Sequence, residues 1–220
     1  MTQITTDIKT APSNHLTQWL FNPFRFMAGY KALLLGLPII LITASIAYLG
    51  NTHFDGVLDV HIGLQAPLWL FFAEGLINWI CMAISLFFPA LIVSRSSFRA
   101  VDVLGTQALA RWPHIVTALV MLPDANRRMG EYFMSKLNPT APAVAVNYTD
   151  VSIFVFAAIF ALLMIVWMVA LMYKAYAVSC NIKGAKAVIT FIVGLIIAEV
   201  LSKLAIWLLI TQSAVMHQPQ

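Results

Sequence analysis

Apolar residues in this chain neither alternate nor recur on a single helical face. They come in long runs separated by short polar stretches. About 20 mostly apolar residues suffice to cross a hydrocarbon core about 30 Å thick. Five segments meet that test: residues 32–50, 67–94, 100–122, 151–173 and 188–211. The fourth holds no charged residue. The second carries Glu74 and Asn78, and the fifth carries Glu199 and Lys203. The third is the most interrupted, by Asp102, Gln107, Arg111 and His114. The pattern predicts an all-α polytopic membrane helix bundle with five transmembrane helices.

Composition removes the soluble alternative. Hydrophobic residues make up 61% of the chain and charged residues 10%, whereas soluble domains run at about 45–50% and about 25%. A water-soluble fold of this length has no interior large enough for so much apolar surface. The protein is expected in a membrane, the inner (cytoplasmic) one if the source is bacterial, with the lipid bilayer as its first partner.

Charge then becomes a topology signal. With the N-terminus cytoplasmic, the inner segments hold Lys9, Arg25, Lys31, Arg95, Arg99, Lys174, Lys183 and Lys186. The outer loops hold Arg127, Arg128 and Lys136, which leaves Arg111 and Lys203 inside spans. This bias follows the positive-inside rule and predicts N-in/C-out. Without a third crossing, the 174–187 loop and its lysines would lie outside. The net charge of +4 is thereby explained without a nucleic-acid partner.

The expected organisation is a cytoplasmic tail over residues 1–31, one transmembrane domain over 32–211 and a short outer tail over 212–220. In the first tail, Leu16, Trp19, Leu20, Phe24 and Met27 recur at near-helical spacing, which suits an interfacial segment. Asn22-Pro23 is expected to break it. No A-x-A cleavage site ends the first span, which is therefore expected to remain. Cys81 and Cys180 offer neither a disulfide framework nor metal-ligand spacing.

The layout resembles the Yip1-domain family of five-span membrane proteins, over residues 22–210. Asn22-Pro23 resembles the Asn-Pro found before the first span of bacterial members. SRSSFRAVDVLGTQALARWPHIVTALVMLP resembles the family's Gly/Ser-Phe-Arg loop and Pro-containing helix. YKAYAVSCNIKGAKAVITFIVGLI resembles its aromatic, Gly-containing turn into a small-residue helix. Eukaryotic members carry Asp-Leu-Tyr-Gly-Pro where this chain reads Gly63-Leu64-Gln65-Ala66-Pro67, and they have a longer cytoplasmic region. These departures count against the small-GTPase partner known for eukaryotic members. They point to a bacterial-type member, for which the resemblance implies no established activity.

A charge at the bilayer centre costs about 2.5–3.5 kcal/mol on insertion scales and needs a partner or a wet cavity. Counted at about 1.5 Å per residue, Glu74, Lys203, Arg111 and Glu199 lie roughly 10, 12, 16 and 18 Å below the outer surface. They are expected to form one intramembrane polar network with Asn78 and Gln107. It would hold the second, third and fifth spans in register or line a polar cavity. The absence of a broken-helix pair from the sequence pattern favours the structural role. Gly194, Ala198 and Ser202 form a small-residue stripe for close helix packing, and Glu199 to Lys203 has the favourable i,i+4 orientation. His114, after Pro113, is expected to satisfy a carbonyl that the proline frees.

His53, Asp55, Asp59 and His61 in the first outer loop are the right types to ligate a divalent metal. No surrounding motif fixes their geometry, so a solvated polar loop is the expectation and no metal or other cofactor is assigned. No G-x-S-x-G, H-E-x-x-H or phosphate-binding Gly-rich motif occurs, and no enzyme activity is expected. The expected function is membrane organisation or docking of partners, either other membrane proteins or further copies of the chain. The alternative is a small channel or transporter using the Glu74/Arg111/Glu199/Lys203 slab.

Overall fold

The computed structural model describes residues 15–63, 65–138, 140 and 142–216. Residues 1–14, Lys9 among them, and 217–220 lie outside the described residues, and with them what is expected of those segments. Eight α-helices and one minimal β-hairpin make up the described chain. The helices are α1 (His15–Phe21), α2 (Gly29–Gly50), α3 (Leu68–Val93), α4 (Ala100–Leu109), α5 (Pro113–Met121), α6 (Asp124–Leu137), α7 (Tyr148–Ser179) and α8 (Gly184–Met216). β1 (Thr52–His53) pairs antiparallel with β2 (His61–Ile62), Thr52 opposite Ile62 and His53 opposite His61.

Four helices, α2, α3, α7 and α8, are long and apolar enough to cross a membrane. The chain is therefore an integral membrane helix bundle by composition and by helix length. Three of the four begin before, and two end after, the apolar runs that announce them, because polar ends continue a helix once its core is committed. At the start of α7, Asn147 and Asp150 each cap the other: the Asp150 N–H donates to Asn147 Oδ1 at 2.8 Å, and the Asn147 N–H donates to Asp150 Oδ2. α2 ends on Asn51 in the left-handed conformation, a common helix C-terminal device. As expected, Asn22-Pro23 ends α1; a 3-10 turn (Pro23–Arg25) follows.

The third apolar segment departs from expectation. It is not one helix over 100–122 but two short ones, α4 and α5, separated by a turn at Ala110, Arg111 and Trp112. Proline lacks the N–H that would continue the ladder and sits at the first position of α5. Neither half is long enough to cross alone, so a count of five continuous helices does not hold.

The two halves nevertheless run beside α2 in the same direction. Gly29, where α2 begins, lies against Asp102 and Arg99; Gly36 lies against Ala108 and Leu109; Gly50, where α2 ends, lies against Met121 and Leu122. A Cβ at Gly36 would stand 2.5 Å from the Ala108 Cβ and 2.6 Å from the Leu109 nitrogen. Glycine is what lets these two backbones touch. On the other side of the bundle, Gly194 of α8 closes on Leu86 and Ser85 of α3, and Ala198 and Ser202 are fully buried along the same helix. The predicted small-residue stripe is thus a packing seam.

Contacts define two ends. At one, Ser94 Oγ donates to the Cys180 carbonyl at 2.7 Å, Thr106 bonds Ser179, and Lys174 Nζ donates to the Phe21 carbonyl. At the other, the 51–67 loop meets α3 and α8, and Arg128 of α6 pairs with Asp150 of α7. Between them Met82, Leu86, Met168, Leu171, Met172 and Tyr176 form the largest apolar cluster. Cys81 and Cys180 are both free thiols.

Gly36→Ala is expected to destabilise the bundle by about 1–3 kcal/mol, the usual cost of overpacking, because its new methyl would meet backbone. Gly75→Ala, whose Cβ meets the Ile40 Cγ2 methyl at 3.0 Å and backbone no nearer than 4.0 Å, should cost less. Thermal unfolding of the two variants in detergent checks the order.

Candidate functional site

Of the charged residues of the predicted slab, Glu74 and Arg111 are buried, Glu199 is half-buried and Lys203 is exposed, all in the half of the bundle that carries the 51–67 loop, and they do not form one network. Glu74 in α3 is 1% exposed. Its partner is not Arg111. Glu74 Oε1 lies 2.7 Å from His53 Nδ1, and Oε2 accepts the Phe54 N–H at 3.1 Å. One turn on, Asn78 Nδ2 donates to the Phe54 carbonyl at 2.5 Å. On α8, Glu199 Oε2 accepts the Leu58 N–H at 2.8 Å, and its Oε1 lies 3.4 Å from Lys203 Nζ. Lys203 also reaches Asp59 at 2.6 Å. Gln107 donates to the Met172 carbonyl and so ties α4 to α7.

Two carboxylates on different helices therefore hold the backbone of the same loop. Thr52, His53, Phe54, Gly56 and Val57 are buried, which corrects the expectation of a solvated outer loop. The loop is an inward-folded cap. In a water-poor setting its unpaired N–H groups need acceptors, and Glu74 and Glu199 supply them. Gly56 packs directly against the Glu199 carboxylate. The expected i,i+4 approach of Lys203 to Glu199 is present, but Lys203's closer partner is Asp59.

The four candidate metal ligands divide. Asp55, Asp59 and His61 gather with ligand atoms within 4.8 Å of one another. His53 instead turns inward to Glu74 and stacks on Phe71 with ring centroids 4.5 Å apart. His61 Nδ1 stands 3.4 Å from Asp55 and 3.8 Å from Asp59. The imidazole contact holds the Asp55 carboxyl below its ordinary range, against the opposing effect of burial. The contact with Asp55 raises the His61 imidazole, again against burial. Lys203 already neutralises Asp59, so the cluster behaves as an ion-paired surface of the cap.

Arg111 is the exception to the pairing. It occupies the turn between α4 and α5, is 4% exposed, and its Nε and Nη2 have no hydrogen-bond partner in the described structure. Asn78 Oδ1 and His114 Nε2 are likewise unpartnered. All three residues line a small cavity of about 20 Å³ together with Phe54 and Phe71, room for a water or two. His114 does not take up a carbonyl freed by Pro113 as expected. The Leu109 carbonyl receives the Trp112 N–H, and the His114 ring meets Phe54 edge-on at 4.5 Å.

Sequence reasoning missed that the cap and the slab are one assembly. The available signal was the apolar content of the loop itself, with Phe54, Val57, Leu58 and Val60 interspersed among its charges. Compared with known proteins, the chain matches no family model, no curated protein and no solved structure.

Replacing Glu74 with Leu should strand His53 and the Phe54 N–H and lower stability by about 1–3 kcal/mol, read as a fall in Tm. A pH dependence follows from the Asp55–His61 pair. The raised His61 contributes stability that is complete below its unfolded pKa and lost as pH rises through its folded value. The lowered Asp55 contributes stability lost only as pH falls through its own depressed value. The cap should therefore loosen from mildly acidic to alkaline pH, by under about 1 kcal/mol for such half-exposed groups. Hydrogen exchange of the cap amides checks this, and His61→Ala should flatten the profile.

Proposed function

We propose that the protein is a non-catalytic membrane bundle of Yip1-like layout, crossing five times with N-in/C-out topology, that organises membranes or docks other membrane proteins. The fifth crossing is supported by the course of α4 and α5, which together follow α2 from its first residue to its last. The orientation is supported by the basic end: Arg25, Lys31, Arg95, Arg99, Lys174, Lys183 and Lys186 all lie on the elements or turns that meet there. Placement in the inner membrane follows if the source is bacterial.

The observation that carries the functional reading is the use made of the intramembrane carboxylates. Glu74 and Glu199 fasten the cap, their oxygens already taken by its backbone N–H groups. What remains outward is apolar: Ile159, Leu162, Leu163 and Val166 on α7, and Ile196, Val200 and Trp207 on α8. These faces suit lipid, partner helices or a second copy of the chain.

A second reading has one specific observation in its favour. The broken third segment sets Arg111, which lacks a hydrogen-bonded partner, beside a small cavity, an arrangement that transporters use at their binding sites. Arg111→Met separates the two readings. A docking bundle should hold or gain Tm, since removing a buried cation that lacks a hydrogen-bonded partner is often neutral or stabilising, and cross-linked partners should still co-purify from native membranes. A solute site would lose uptake in vesicles at unchanged Tm, and that result would overturn the docking proposal.

Topology is tested separately with an impermeant maleimide on Cys81→Ala/Cys180→Ala protein. Arg95→Cys and Lys183→Cys should share one side, and Tyr148→Cys should label from the other. Labelling of Arg95→Cys and Tyr148→Cys from the same side would remove the α4–α5 crossing.

A further inference from the structure

We propose that the basic end carries a specific binding site for the phosphate of an anionic phospholipid, formed by Arg95, Lys183 and Lys186. It rests on the chain being a membrane helix bundle and is independent of the docking role. The three side chains surround an open cavity of about 460 Å³ between the end of α3 and the α7–α8 turn, with Val93 and Ile182 as its apolar lining. None of the three forms an ion pair or side-chain hydrogen bond with any described residue, whereas Asp102, an acid among the described residues at this end, is held by Arg99 at 2.9 Å.

The frame of the site is fixed without a ligand. Ser94 Oγ donates to the Cys180 carbonyl at 2.7 Å and so fastens the end of α3 to the turn. Asn181, in the left-handed conformation, reverses the chain, and the Ile182 N–H donates to the Ala177 carbonyl. Arg95, next to Ser94, is thereby held at the same cavity as the two lysines, so a ligand entering it meets all three cations.

The position of the lysines is the second argument. Lys183 immediately precedes α8 and Lys186 lies in its first turn, which contains no acidic residue. A helix N-terminus carries partial positive charge and unpaired N–H groups, so cations there are on the unfavourable end. An anion resolves both problems, since the same N–H groups and cations attract it. A strongly basic pocket at a helix start is electrostatically incomplete when empty.

The choice of a lipid over free phosphate comes from the adjoining surfaces. Beside Val93, Leu91 and Ile92 are exposed, Ile92 by 84%, and one turn beyond Lys186 Ile189 is exposed by 61%. Cationic rim, apolar floor and apolar flanking helices match a headgroup phosphate continued by acyl chains. Basic pockets between helices on the cytoplasmic side recognise lipid headgroups in this way.

The test uses the full chain in phosphatidylcholine nanodiscs, with phosphatidylglycerol added and retained lipid counted by native mass spectrometry alongside Tm. Wild type is expected to retain phosphatidylglycerol and gain Tm. Lys183→Gln/Lys186→Gln should lose roughly thirtyfold in affinity, the effect of two basic groups near a membrane surface. Arg25→Gln/Lys31→Gln removes the same charge from the same end and should change little; an equal loss there would overturn the site in favour of a diffuse field. If inorganic phosphate in pure phosphatidylcholine reproduces the Tm gain, the lipid assignment is overturned. Lys183→Arg/Lys186→Arg should retain binding; if it too loses it while folding normally, the phosphate geometry proposed here is wrong.

Discussion

A backbone N–H taken out of water must find its acceptor within the protein, and the 51–67 cap meets that requirement with side chains rather than with a sheet. Its hairpin contributes only the Thr52–Ile62 and His53–His61 pairs, too little to order a loop of this length. Glu74 from α3 and Glu199 from α8 add to it by accepting the Phe54 and Leu58 N–H groups. Because α3 and α8 also form the glycine seam at Gly194, loop and helices fix one another. The acids need the loop to be satisfied, and the loop needs the acids in register.

The same rule explains why Arg111 stands apart. Every other ionisable group of the slab has a charge-assisted contact, whereas the Arg111 guanidinium faces a small cavity with unpartnered Asn78 and His114 atoms. A water there would connect donor to acceptor, because Arg111 supplies donors and Asn78 Oδ1 an acceptor. The break between α4 and α5 is what brings Arg111 to that point. A continuous helix would follow the usual 3.6-residue rotation past the turn, whereas the Ala110–Trp112 segment shortens it locally. The break is therefore part of how polar atoms are distributed, not a defect in an otherwise plain crossing.

Much of the fold was legible because lipid imposes so simple a demand on sequence. Runs of apolar residues gave α2, α3, α7 and α8 to within a few residues, and the Gly194-Ala198-Ser202 stripe gave a real seam. The third segment was legible as apolar but not as broken: Pro113 could begin a helix as easily as kink one, and only the surrounding helices decide. The site was half legible. Depth counting placed Glu74, Arg111, Glu199 and Lys203 in one slab; Glu74 and Arg111 are buried, Glu199 is half-buried and Lys203 is exposed. It could not find their partners, because depth is one coordinate and pairing needs three. His53 and Asp59 sit in a segment whose charges read as solvated, and nothing local shows that the loop turns inward.

This division has a bearing on what buried charge means in such a protein. An acid in an apolar run is commonly read as a mark of transport, since its cost must be offset by use. Here the offset is supplied by unpaired backbone of a neighbouring loop, a group every chain possesses and no side-chain pattern advertises. A carboxylate that anchors backbone and one that binds a solute therefore look alike in sequence. They differ in structure by whether a donor already occupies the oxygens. Both oxygens of Glu74 and of Glu199 are occupied, so their contacts are architectural, whereas Arg111 and the described cations Arg95, Lys183 and Lys186 have no such partners.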